Sequence, residues 1–259
     1  MKKALIVLEK EWLELRLQRA LLLATVVLPP LITAFAVAGF IAAGKLTAST
    51  IGAAAPLQPE FASLSQFELG QAIVGRQFAT LFLLMPIFIP SVLASYAIVG
   101  EKRERTLEPV LATPIRTWEL LLGKMLGALI PALAVTIASA TLFGVGIVAF
   151  AVSDRVREII VTPGWILAVI VDSPLLALIG VALIVVLSSR VNDPRTAQQI
   201  SAVLVVPVLG LLFGQLAGVV VLGPALALGI GVILAVIAAG AVSVATRLFQ
   251  REVILTRWR

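Results

Sequence analysis

Residues Gly100 to Lys124 read GEKRERTLEPVLATPIRTWELLLGK, a dense charged island in a chain that is otherwise almost all apolar. Glu101, Lys102, Arg103, Glu104, Arg105 and Glu108 fall within eight positions, between two long hydrophobic runs. A loop that only joins two membrane spans needs a few polar residues to turn. This one carries both charge signs and a helix-compatible front half, and then Pro109 and Pro114, which stop a helix. The pattern predicts a short helix lying on a membrane face, with Glu101 and Arg105 spaced to pair along it.

The flanking composition sets the class. Hydrophobic residues make up 60% of the chain and charged residues 13%, with a mean hydropathy of +1.10; soluble domains carry about 25% charged residues. Stretches near 20–43, 78–99, 124–150, 164–188, 200–222 and 224–246 are each long enough to cross a bilayer, which takes about 20 residues. None alternates with a period of two. Backbone groups in lipid must be satisfied within the segment, so these are helices and not barrel strands. The fold expected is an all-α membrane protein, one domain over 1–259. An interfacial helix covers 1–19, a six-span bundle 20–246 and a cytoplasmic tail 247–259.

Lys and Arg give the orientation. Sixteen of the 20 lie at the amino end, in the loops around Arg103 and Arg190, or in the tail. Only Lys45, Arg76, Arg155 and Arg157 fall on the other side. Six spans with both termini cytoplasmic satisfy this split, in the cell membrane. The net charge of +6 is then a matter of topology and of attraction to anionic lipid. No basic patch forms on a soluble unit, so nucleic acid is not an expected partner. The chain has no cysteine and no histidine. Thiol nucleophiles, disulfides, histidine metal sites and the usual neutral-pH proton relay are therefore excluded. No cleavable leader is expected; the first span reads as a signal anchor.

In residues 1–19, Leu5, Leu8, Trp12 and Leu15 recur at helical spacing among Glu9, Lys10, Glu14 and Arg16, which suits an in-plane amphipathic helix. Residues 44–77 form the longest outer loop, with an amphipathic helix expected over Phe61 to Phe78. The fifth and sixth spans are separated by Gly223-Pro224 and are expected to pack as an antiparallel hairpin. Pro29, Pro30, Pro86, Pro90, Pro131, Pro174 and Pro207 sit inside spans, where each removes a backbone hydrogen bond and favours a kink. Gly210, Gly214 and Gly218 form a small-residue ridge suited to close helix packing. Gly39 to Lys45 imitates a phosphate-binding loop. Leu46 stands where a magnesium-ligating hydroxyl belongs, however, and the segment ends an apolar span. Asp172 is the one carboxylate inside a span. Two readings stay open for it: a group facing a pathway or partner, because a lipid-facing charge there is costly, or a cap on a short outer helix through Ser173-Pro174.

Three blocks of the chain resemble ABC type-2 permeases, the membrane subunits of ATP-driven exporters. The island matches their cytoplasmic coupling loop through Glu101, Glu104, Thr106-Leu107-Glu108, Leu111, Thr113-Pro114, Glu119-Leu120-Leu121 and Gly123-Lys124, and departs at Arg105, where glycine is usual. Ser188-Ser189-Arg190, Asp193-Pro194-Arg195 and Ala197-Gln198-Gln199 match the loop before the fifth span. Phe249, Arg251-Glu252 and Ile254-Leu255-Thr256-Arg257 match the tail. The resemblance implies that Glu101 to Glu108, with Thr113, Pro114 and Glu119, couples to a separate ABC ATPase subunit. ATP and magnesium would bind on that partner, with no cofactor, metal or catalytic residue in this chain. It also implies a second permease copy, a homodimer, and a pathway lined by the second and fifth spans. There it nominates Met85, Phe88, Ser91, Ser95, Gln198, Gln199 and Gln215, with Asp172 as a further pathway candidate. Two other readings are an ion-coupled secondary carrier using Asp172 and a non-transporting scaffold or immunity protein; a co-purifying ATPase separates them from the first.

The orientation is directly testable, because single cysteines can be placed in a chain that has none. Cysteines at Ser65 and Arg155 should label in intact cells, and those at Arg103 and Arg190 only after permeabilisation. The reverse pattern at Ser65 would overturn the topology.

Overall fold

The computed structural model describes residues 2–45, 59–61, 63–104 and 115–248. The expectations placed on Arg105, Thr106, Leu107, Glu108, Thr113 and Pro114, and on the tail motif after 248, lie outside the described residues. An N-terminal helix, α1 (Lys2–Leu17), precedes six helices long and apolar enough to cross a membrane. These are α2 (Thr25–Ala43), α3 (Gln66–Arg103), α4 (Thr117–Phe150), α5 (Asp154–Ser188), α6 (Pro194–Leu216) and α7 (Pro224–Leu248). There is no strand among the described residues.

Helices α3 and α5 are the centre of the bundle. In their most apolar stretches 61% of residues are buried, against 17% in α6 and α7, so the last two spans are peripheral. The core is built where α3, α4 and α5 meet. Phe143 lies between Phe82, at 4.8 Å, and Trp165, at 6.2 Å between ring centroids. The Trp165 indole donates to the Ala79 carbonyl at 2.9 Å, which satisfies its one polar group inside the core.

Proline explains where the spans lose regular helix. Helical turns are re-registered over Leu23–Val27, Phe82–Leu84, Ala168–Asp172 and Ala202–Leu204, shortly before Pro29, Pro86, Pro174 and Pro207. A proline offers no N–H and crowds the carbonyl four residues back, so the turn before it relaxes to a wider or tighter ladder. Pro90 and Pro131 are exceptions, each within regular helix, and the wide turn at Ser95–Gly100 follows Pro90 instead of preceding a proline.

Three expectations are corrected. The second span starts at Gln66, and the helix expected over Phe61 to Phe78 is its first half. Ser65 starts it with a reciprocal capping box to Glu68, so helix continues from the cap into the span. The fifth span stops at Leu216, because Gly218 adopts a positive φ of 71° that ends helices. The α6–α7 hairpin does not form: α7 packs chiefly on α5, and α6 on α3. With Gly218 outside the helix, the expected glycine ridge meets no partner helix among the described residues. A Cβ on Gly210 would meet nothing within 4 Å, and one on Gly214 would meet Val220 of the turn that follows.

Close backbone approach occurs elsewhere. A Cβ on Gly164 would stand 2.2 Å from the carbonyl oxygen of Leu222, in the turn between α6 and α7. Gly164→Ala should therefore lower the melting temperature of the purified protein, with a cost of about 1–3 kcal/mol for overpacking. Gly229→Ala, whose Cβ would meet nothing within 4 Å, should not. Equal melting temperatures for the two variants would contradict this packing.

Candidate coupling site at the end of the second span

The charged island opens on a buried ion-pair cluster. The Lys124 side chain is 1% exposed. Its ammonium donates to Glu11 Oε1 at 2.7 Å and to the Ala97 carbonyl at 2.8 Å, and stands 2.7 Å from Glu101 Oε2. Lys10 pairs with the other Glu101 oxygen and with Glu14, at 3.0 Å. An ammonium has three donors and tolerates burial only when they are used. Here two carboxylates and a carbonyl, one carboxylate from α1 and the other two groups from the end of α3, surround it.

Local sequence explains the convergence. Ala4, Val7 and Glu11 share the face of α1 that rests on α4. Gly123 and Gly127 let that face approach: a Cβ on Gly123 would stand 2.6 Å from Val7 Cβ, and one on Gly127 2.9 Å from Glu11 Cβ. Lys124, between these glycines, is thereby brought against Glu11. The last turns of α3 deliver Glu101 to the same point. The periodicity reading of α1 needs amendment. Leu5 and Trp12 point outward with Ile6, Leu13 and Leu17.

Burial pushes the Glu11 carboxyl above its usual range, opposed by the Lys124 ammonium. Burial alone would lower the Lys10 ammonium, but the Glu101 carboxylate outweighs it and the net shift is upward. The carboxylates of Glu11, Glu14 and Glu101 converge within 4.8 Å, a spacing that would suit a metal ion. The two lysine ammonium groups pair with those same carboxylates. Beside the cluster lies a cleft of about 580 Å³, walled by Leu15, Leu21, Leu93 and Tyr96.

The next two residues of the island reach across the bundle. Lys102 donates to the Ser188 carbonyl at 2.9 Å, at the end of α5. Arg103 pairs with Asp193 at 3.3 Å. Asp193 in turn caps α6 through Thr196 N, with Pro194 in the first turn. Glu104 is exposed. Glu119 accepts from Arg116 N at the start of α4. Glu101 to Arg103 thus touches α1, α4, α5 and the start of α6.

The nominated pathway residues do not share one environment. Ser95 accepts from Gln198 Nε2 at 2.7 Å, and Gln215 accepts from Thr80 Oγ1 at 2.7 Å, so two polar bonds hold α6 to α3. Met85 and Ser91 are buried in packing, Ser91 facing Gly180. Phe88 and Gln199 point outward. Asp172 is buried and makes no cap bond to the helix that follows, which removes the capping reading.

Across this architecture, residues 5–256 match the model of the ABC-2 family transporter proteins. The chain belongs to that family. No curated protein matches it. Six spans and the family match make the ABC-2 chain a multi-pass membrane protein, consistent with a permease subunit. Sequence reasoning missed Lys10 and Glu11 as members of the cluster. The available signals were an acid on the same face of α1 as Ala4 and Val7, and a lysine set between two glycines four apart.

The cluster makes a quantitative prediction. Lys124→Met leaves buried carboxylates uncompensated and should cost about 3–5 kcal/mol, seen as a large fall in melting temperature. Adding Glu11→Gln and Glu101→Gln to it should restore most of that loss. A triple variant no more stable than Lys124→Met would show that charge balance is not what holds this junction.

Proposed function

We propose that this ABC-2 chain is the permease subunit of an ATP-driven exporter. Two copies work side by side in the cell membrane with two ATPase subunits on the side that carries both termini, the cytoplasm. ATP and magnesium bind on those partners, and this chain hydrolyses nothing. The observation that carries the reading is the attachment of Glu101 to Arg103. A displacement applied to the island cannot be absorbed locally, because Glu101 is held to α1 and α4, Lys102 to α5, and Arg103 to the cap of α6.

In this reading closure of the ATPase pair moves the island, and the island moves the bundle between two packings. The part that yields is α6. It is scarcely buried and is held to α3 by the Ser95–Gln198 and Thr80–Gln215 bonds. Such bonds average roughly 0.6 kcal/mol in membranes, so nucleotide binding can separate these helices and open a route between the second and fifth spans. The outward side chains of α1, Trp12 and Leu13 among them, rest in lipid and hold that helix in the interface.

The test is affinity purification of the tagged full chain from its native membranes. An ATPase should be recovered with it, and Glu104→Lys with Glu108→Lys should abolish recovery while leaving the melting temperature unchanged. Glu101 is left alone because its reversal would break the buried cluster. Recovery of no ATPase, or undiminished recovery with the double reversal, would overturn the reading.

A further inference from the structure

Asp172 lies in the middle of α5, nine residues beyond Pro163 and sixteen before Ser188, and is 3% exposed. Its Oδ1 has no hydrogen-bond partner among the described residues, and neither has the hydroxyl of buried Ser173. The carboxyl faces the last span at its barest point. A Cβ on Gly231 would stand 2.9 Å from Asp172 Oδ1. The turn that carries Asp172, Ala168–Asp172, is a wide one, with Ser173 N bonded to the Ala168 carbonyl. Pro174 supplies no N–H to the turn before it, which leaves a carbonyl there without its usual donor.

Among the described residues no counter-charge is seen beside Asp172 on the elements packed against this turn. On α3, which meets Ala168 through Leu83 and Ile87, Arg76 is bound to Glu60, Glu68 caps the first turn, and Glu101 to Arg103 lie at the opposite end; on α6, which meets it through Val208, the charged residue is Arg195 in the first turn. Helix α7 has one charged residue, Arg247, sixteen positions after Gly231 and about 24 Å along the helix axis. Helix α4 has Glu119 and Lys124, both near its first turns, with Lys124 committed to the cluster at α1. From Pro163 to Ser188, α5 has no charge but Asp172. An ionised carboxylate in a dry site with neither cation nor donor is unstable. The neutral acid is not, because its proton can be donated.

We propose that Asp172 is a proton-binding site whose neutral carboxyl is required for the last span to stay docked on the fourth. Binding is the addition of one proton from water to the carboxylate, giving the acid, with no other bond made or broken. With Gly231 this close, Oδ1 has no room for the hydration that the ionised form requires. Loss of the proton is therefore linked to movement of α7 away from α5, and low pH favours the docked state. This goes beyond the ATP-driven reading and does not depend on it, since the site is complete within this chain.

The experiment is infrared spectroscopy of the purified full chain without any ATPase, with its aspartates carbon-13 labelled. The chain has three aspartates. Asp154 and Asp193 are solvent-accessible and ion-paired, to Arg157 and Arg103. A carboxylic-acid carbonyl band at neutral pH that shifts on aspartate labelling therefore reports Asp172, and it should vanish in Asp172→Asn. In parallel, a cysteine at Leu234, which packs at the α5 side of α7, should react faster with a membrane-permeant maleimide as the band titrates away. The thiolate is the reacting species, so in Asp172→Asn the rate should rise with pH only as thiol ionisation dictates. The wild-type rate divided by the Asp172→Asn rate removes that contribution, and one-proton linkage allows this ratio to rise by up to about tenfold per pH unit. Absence of the labelled acid band at neutral pH, or cysteine reactivity that ignores its loss, would overturn the proposal. The labelled wild-type spectrum decides the first point even where the variant fails to fold.

Discussion

Lys124 sets the geometry of the termini-side half of the molecule. A buried ammonium must fill three donor positions, and its neighbours on α4 offer apolar side chains and helical carbonyls already in use. It therefore recruits Glu11 from α1, Glu101 from the end of α3, and a carbonyl one turn before Glu101. Each recruit has further consequences. Glu11 requires α1 to lie flat against Gly123 and Gly127. Glu101 requires α3 to run past the apolar zone into the charged island. Lys10 then shields the second oxygen of Glu101 and ties in Glu14. The cluster holds α1, α3 and α4 together by charge where apolar packing gives way to polar groups.

The bundle divides into a dry centre and a lightly held rim. Helices α3, α4 and α5 share the aromatic core around Phe143, whereas α6 and α7 expose most of their surface. In lipid the rim helices gain little from apolar contact, because lipid tails are as apolar as leucine, and their positions rest on a few polar or small-residue contacts. For α6 these are Thr80–Gln215 and Ser95–Gln198; for α7 one is the meeting of Asp172 with Gly231. Groups that hold so little surface in place also decide when that surface moves.

Span number, helical class and the island were legible because hydropathy and charge are one-dimensional signals that the bilayer enforces residue by residue. Span ends were less so. Capping by Ser65 and termination at Gly218 are local backbone chemistry that hydropathy does not register, so the second span began twelve residues before its apolar run and the fifth stopped early. The α6–α7 hairpin failed for a related reason. A short connection suggested adjacency, but the residues after Leu216 turn away from the helix and leave α7 to seat on α5. In the candidate site, Glu101 was nominated from the island, but its burial was not readable there. Only the meeting of α1 with α4 reveals that Glu101 has partners from outside its own loop. Ser95 with Gln198 shows the opposite case, where two separately nominated residues meet.

On the side away from the termini the chain is fastened differently. The Gln71 amide donates to the Phe150 carbonyl and accepts from Val152 N, clasping the end of α4. Thr162 donates to the Leu222 carbonyl, and Gly164 lies flush against the same stretch of backbone. The turn that follows the fifth span is thus fastened, by one side-chain hydrogen bond and one close backbone contact, to the start of the membrane part of the fourth. The near end of the fifth span is joined through Arg103 with Asp193 and through Gln198 with Ser95, contacts made by side chains alone. In the proposed exporter a displacement of the island would therefore reach the fifth span through side chains that can exchange partners, while the backbone contact that Gly164 makes possible stays fixed at the other end.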